Sequence, residues 1–384
     1  MMKRWKQTAV LLITLLLLLP LAGCIGRPDY ETYVISDMEG EQEANEPGNP
    51  FQVQTIFRIP EALGSRMQLL GWLDNAELAG LLPDDDRQKA EPTRGQQILQ
   101  RLAPPYEAPA LLTRIDSASP GMLRLSPDGQ WLAGGAGQTL TLTSVQNQEV
   151  HRLAVSAESG QEMDTKALRW SANSRYISFI AVENKSKQAW IMRCDVRQKE
   201  LQAIRIQGNI EINPWASVVL SDDGYSALID DRTKVVMAKR NGTEFEVQYD
   251  HASGGTDSVW VDDDRFLFLA QDGTLFQYDN RNRELSILLE KTGFFSLSPD
   301  RKSIAYTQSE KESVFAGKLQ GNNIIYQETV YQGIIPAQLI WNGDSGALLI
   351  DGSKWYVQSE PNVPIPVPTG AGDAQRQTLI VRFR

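Results

Sequence analysis

The chain has 384 residues, 41% hydrophobic and 22% charged, with a formal net charge of −10, nine tryptophans, two cysteines and two histidines. Its length is enough for a sizeable buried core, while two cysteines are too few for a disulfide framework. The acidic balance excludes a nucleic-acid or anionic-membrane binder, because phosphate contacts need clustered Lys and Arg, and no such cluster occurs.

The N-terminus is an address. Lys3, Arg4 and Lys6 precede an apolar run from Thr8 to Leu19, which is too short to span a bilayer comfortably and reads as a signal-peptide core. Directly after it, Leu21-Ala22-Gly23-Cys24 resembles the lipobox of bacterial lipoproteins. That resemblance implies cleavage of residues 1–23, lipid attachment at Cys24 and a place on the extracytoplasmic face of the cell membrane, or in the outer membrane if the cell is Gram-negative. Ile25 is not the Asp that marks inner-membrane retention in Gram-negative lipoproteins. Acyl chains contribute about 0.8 kcal/mol per buried methylene, so a multiply acylated Cys24 tethers the protein without embedding it. Cleavage leaves 35 basic and 48 acidic residues, a net of −13.

Residues 24–50 form the next segment, in which seven acidic residues stand against Arg27 alone. It buries too little apolar surface to order itself and is expected to be a flexible acidic tether. Cys194, in "AWIMRCDVRQ", is the other cysteine. Its strand-like setting predicts a packed small hydrophobe.

From residue 51 to 384 the chain repeats an apolar run, a polar turn and further strand-like runs. The turns are anchored at Asp74, Ser126, Ser171, Ser221, Asp262, Ser298 and Asn342, spaced 52, 45, 50, 41, 36 and 44 residues apart. That is the period of propeller blades, each a four-stranded sheet. One position before the anchors stand Leu73, Leu125, Trp170, Leu220, Val261, Leu297 and Trp341, an apolar column expected to face a neighbouring blade. The column before that is mixed: Trp72, Arg124, Arg169, Val219, Trp260, Ser296 and Ile340. In "MLRLSPDGQWLAGG" (122–135) Pro127 presets φ, Asp128 bonds the local backbone and Gly129 supplies a positive φ, so the turn is a hairpin between consecutive strands.

The recurring "LSPDG", followed by an apolar strand and an "LFQYD"-like strand, resembles the WD40-like repeats of TolB-type bacterial β-propellers. The resemblance spans residues 51–384 and implies an all-β propeller of six or seven four-stranded blades. Seven is favoured, closed by pairing "FQVQTIF" with the C-terminal region around "TLIVRFR". The copies at 74, 262 and 342 lack the Ser-Pro pair.

Turn chemistry accounts for the residues that look like catalytic signatures. No G-x-S-x-G elbow occurs, and "GDSG" at 343–346 falls on the turn that is SPDG in other repeats. His151 and His251 are too few for a His-rich metal centre unless carboxylates complete it. The Asp84–Asp86, Asp222–Asp223, Asp230–Asp231 and Asp262–Asp264 runs lack the D-x-D-x-D-G spacing, and solvated turns account for them, with calcium the one cofactor they admit. Trp170 and Trp341 are expected in blade packing. Trp215 and Trp355 are candidates for an exposed rim, and Arg124 and Arg169 for the central funnel. The expected function is a non-enzymatic, membrane-tethered scaffold binding an envelope protein or small ligand. The alternatives are a metal-dependent propeller hydrolase or lyase, and a sensor that admits a small molecule or glycan to the funnel.

Overall fold

Strands form here because apolar and polar residues alternate. In Thr139–Ser144, TLTLTS, burial alternates with the letters, whereas every residue of Tyr176–Val182 is buried because both faces of that strand meet other blades. The computed structural model describes residues 32–35, 49–83, 96–116, 123–136, 139–155, 167–182, 188–208, 212–213, 216–255, 258–308, 312–355 and 374–384. Cys24, the signal peptide, Trp215 and Asp84–Asp86 lie outside them. Tyr33–Arg384 is one compact unit.

The strands assemble into antiparallel four-stranded units in chain order. The first runs Gln68–Trp72, Leu78–Pro83, Gln96–Leu102 and Pro109–Asp116, and the second Arg124–Leu125, Trp131–Ala136, Thr139–Ser144 and Val150–Ala154. The fifth begins at Val259–Trp260 and the sixth at Thr292–Leu297. The last comprises Ile335–Trp341, Ala347–Trp355, Ala374–Phe383 and, from the other end of the chain, Val53–Arg58.

The all-β propeller is as expected, but its division into six or seven separate blades is corrected. Five blades are separate sheets. The stretch from Arg169 to Ala252 is instead one eight-stranded sheet, in which the third and fourth units join outer edge to outer edge. Glu200–Ile206 pairs there in parallel with Glu244–Ala252 through Arg205↔Glu244 and Ile206↔Phe245. An exposed strand edge carries unpaired backbone groups that seek a partner, and burial of Ile206 and Phe245 stabilises this meeting.

Most of the expected flexible tether, residues 24–31 and 36–48, lies outside the described residues. Thr32–Ile35, TYVI, is a short strand on the outer edge of Glu284–Leu289, making the fifth blade five-stranded.

Ring closure follows the expected pairing, with Val53–Arg58 antiparallel to Ala374–Phe383 from Val53↔Phe383 to Arg58↔Leu379. The core is divided among apolar clusters between consecutive units. One spans the closure, with Met67, Leu78 and Tyr106 of the first unit against Ala347, Leu349 and Ile380 of the last. Another packs Phe51 edge-on against Trp341 and Phe383, which are tilted to each other, at 5.7–6.2 Å between ring centres.

Candidate functional site

Each of the seven anchors lies between the first and second strands of a unit, and its side chain builds the turn. The hydroxyls of Ser126, Ser171, Ser221 and Ser298 accept the backbone N–H five residues on, at 2.8–2.9 Å. The same hydroxyls donate to Asp128, Asn173, Asp223 and Asp300 at 2.5–2.7 Å. Asn342 Oδ1 likewise accepts from Ala347 N at 2.8 Å. The third residue after these anchors has positive φ: Gly129 (71°) and Gly224 (73°), but also Ser174 (59°), Arg301 (60°) and Ser345 (61°).

Neighbouring turns are bonded into a belt. Ser174 Oγ accepts from Asp128 N at 2.9 Å, Asn173 Nδ2 donates to the Asp222 carbonyl at 2.8 Å, and Asn342 Nδ2 donates to the Asn75 carbonyl at 2.9 Å. Arg301, from the sixth unit, forms a 2.5 Å ion pair with Asp222 of the fourth. Asp263, on the turn between them, has its carboxyl pushed up by burial and by the charges of Asp223 and Asp222. The belt fixes one end of the propeller as a rigid surface.

Below the belt the strand pairing brings one residue per unit to an equivalent position. Trp72 pairs with Leu78, Leu125 with Leu132, Trp170 with Ile177, Leu220 with Ala227, Trp260 with Phe266, Leu297 with Ile304 and Trp341 with Leu348. These residues alternate Trp and Leu around the axis. Each indole N–H donates to a carbonyl of the preceding unit: Trp170 to Arg124, Trp260 to Val219, Trp341 to Ser296 and Trp72 to Ile340, at 3.0–3.1 Å. The expected column assignment is corrected here, because Trp72 and Trp260 share the position of Trp170 and Trp341. Their turns are one residue shorter, with Leu73 N bonded to Glu77 O and Val261 N to Arg265 O, whereas Ser126 N reaches Trp131 O.

Two chambers follow the axis. The one at the belt end, about 300 Å³, is lined by residues of all seven innermost strands, with the four tryptophans, Pro127, Pro299 and Arg301 around it. The other, about 830 Å³, opens at the beginnings of those strands and is lined by Arg124, Arg169, Arg232, Gln68, Gln338 and Asp351 among others. Leu70, Leu125 and Arg169 line both. Among the described residues the one carboxylate lining the wide chamber, Asp351, is ion-paired to Arg376 at 2.8 Å and accepts from Thr378 Oγ1 at 2.8 Å.

Arg124 and Arg169 thus line the channel, and Arg124 Nη1 donates to the Leu123 carbonyl at 3.1 Å. Trp355 ends the strand Ala347–Trp355. Arg232 and Arg301 were missed because both sit on turns, where a lone arginine looks like any solvated charge. His151 and His251 lie on the outermost strands of their units, His151 Nε2 3.0 Å from Glu149 and His251 stacked on Tyr249 and tilted against Phe276. Among the described residues no three His, Cys, Asp or Glu side chains gather as metal ligands. "GDSG" forms the last turn, and Cys194 is fully buried with its thiol pushed up to about 12 by burial and then by Asp195.

No protein-family model matches the chain, and no curated protein matches it. Solved propellers do. A mitotic checkpoint complex chain aligns over 90% of this chain and 98% of its own, at 14% identity and a TM-score of 0.51. The Cps50 (Swd1) β-propeller domain of Myceliophteria thermophila aligns over 86% and 98%, at 10% identity and 0.50. Oligogalacturonate lyase in complex with manganese aligns over 83% and 97%, at 12% identity and 0.50. At these identities the likeness is one of fold, shared by chains of different activity.

Proposed function

We propose that this chain is a membrane-tethered extracytoplasmic lipoprotein, of the TolB-like propeller type, whose belt end is a docking face for a cell-envelope protein. In this reading the lipid on Cys24 holds the propeller at the membrane through the acidic segment. One observation carries the reading: four tryptophans with engaged indole N–H groups floor a depression of about 300 Å³ inside a polar belt. An apolar, aromatic centre within a polar rim is the anatomy of a protein interface, and side chains fixed beforehand lose little entropy on binding. Tyr225, 54% exposed on the fourth turn, extends the aromatic surface outward.

Site-specific photocrosslinking in the native cell tests this. A crosslinking residue at Pro127 or Pro299 should capture one and the same envelope protein, while one at Ile335, at the opposite end, should not. Cys24→Ala should abolish capture by removing the anchor. Equal capture from all three positions, or none from the belt positions, overturns the docking face.

A further inference from the structure

Seven turns surround the tryptophan-floored chamber, and all of them lie among the described residues. Residues 73–77, 126–130, 171–175, 221–225, 261–264, 298–302 and 342–346 hold ten acidic and three basic residues, a net of −7 against −10 for the whole chain. Of the three bases, Arg175 is paired with Asp195 and Arg301 with Asp222. The outer turns of the same end hold Arg197, Lys199, Arg281 and Arg283, of which Lys199 and Arg281 are paired with Glu149 and Asp279. Negative charge is therefore centred on the chamber mouth. Residues 24–50 hold nothing to offset it, with seven acidic residues against Arg27 alone.

Turn chemistry does not call for these charges. Asp128, Asp223 and Asp300 each accept the anchor serine's hydroxyl and a backbone N–H through one oxygen, Oδ1. Asn173 does the same with a neutral amide, accepting from Ser171 Oγ and Arg175 N. The three aspartates are exposed, and among the described residues none is ion-paired, with Lys302 standing near Asp300.

Resting on the docking reading, we propose that the partner segment seated at the belt end is cationic, with one apolar or aromatic side chain entering the chamber between Lys or Arg residues. An acidic rim with low-dielectric walls attracts and orients the opposite charge. The chamber, about 300 Å³, takes a single large side chain as anchor. Arg301 shows the arrangement within the chain itself, its guanidinium lining the chamber and paired with Asp222. Asp263 holds a buried Oδ1 with no hydrogen-bond donor among the described residues, and its carboxyl is pushed up by burial and then by Asp223 and Asp222. A cation from the partner relieves that crowding.

The test places a photocrosslinking residue at Pro299 in the native cell and sequences the captured peptide by mass spectrometry. Expected is a segment with Lys and Arg in excess of Asp and Glu around an apolar residue. Synthesised, that peptide should bind the purified full-length protein saturably and weaken from about 50 to about 300 mM salt. A variant carrying Asp128→Asn, Asp223→Asn and Asp300→Asn should bind it about tenfold less tightly, its turns kept as Asn173 keeps its own. Asp250→Asn, exposed on the outermost strand of the fourth unit, should not change binding. A captured peptide without the basic excess, or equal affinity in parent and triple variant, overturns the cationic partner and leaves the docking face standing. No capture from Pro299 overturns the docking face and the cationic partner together.

Discussion

The indole N–H of Trp170 donates to the backbone carbonyl of Arg124 across 3.1 Å, tying the third unit to the second at the channel wall. Trp72, Trp260 and Trp341 make the same bond to their preceding units. Seven positions cannot alternate two residue types around a closed ring. The exception falls at the closure, where Trp341 and Trp72 are neighbours and Trp72 bonds the carbonyl before Trp341.

Trp170→Phe keeps an aromatic ring and deletes the donor. The expected loss is about 1–2 kcal/mol, seen as a melting midpoint lower by about 1–3 °C. Equal midpoints for variant and parent in thermal unfolding would show that the bond contributes nothing.

Two glycine substitutions separate strain from crowding. Gly242 has φ +61° with open space at a Cβ, so Gly242→Ala should cost about 1 kcal/mol. Gly129 has φ +71°, and a Cβ there would stand 2.3 Å from the Leu73 carbonyl oxygen of the neighbouring unit. Gly129→Ala should therefore lose clearly more in urea titration, since the belt must shift to admit it.

Closure depends on the strand borrowed from the N-terminus. Ile380 is fully buried between the first and last units, and Ile380→Ala should cost about 2–5 kcal/mol. Ile56, 40% exposed on Val53–Arg58, should tolerate Ala within about 0.5 kcal/mol. Denaturant midpoints decide between them, and similar losses would contradict the packing described.

Cys194 gives a pH dependence. Burial pushes its thiol from the ordinary 9.0 up to about 12, so the folded chain keeps the proton over a range where the unfolded chain releases it. Its contribution is fully present below pH 9.0 and is lost as pH rises towards about 12. Stability measured from pH 8.5 to 11 should fall less steeply in Cys194→Ala. A thiol reagent at pH 8 should label the native chain only after denaturant is added.

Much of this architecture was legible beforehand. The seven anchors mark seven turns because Ser, Asn and Asp at those positions bond backbone within a few residues, a local chemistry that spacing exposes. The terminal pairing was legible because "FQVQTIF" precedes the first unit and "TLIVRFR" ends the last, which leaves each an edge for the other. The tryptophan ring was not. Counting residues back from Asp74 and Asp262 placed Trp72 and Trp260 in the wrong column, because those turns are one residue shorter and register follows hydrogen bonds rather than letters.

Alternation and turn residues thus determined by themselves that the chain is a repeated β-structure, since both act over a few neighbours. Only the tertiary structure decided that the third and fourth units share a sheet and that four tryptophans and three leucines meet on one axis. It alone brought Arg232, from a turn, into the chamber of Arg124 and Arg169. Those relations join residues tens of positions apart, and they are set by how the twisted units pack around the ring.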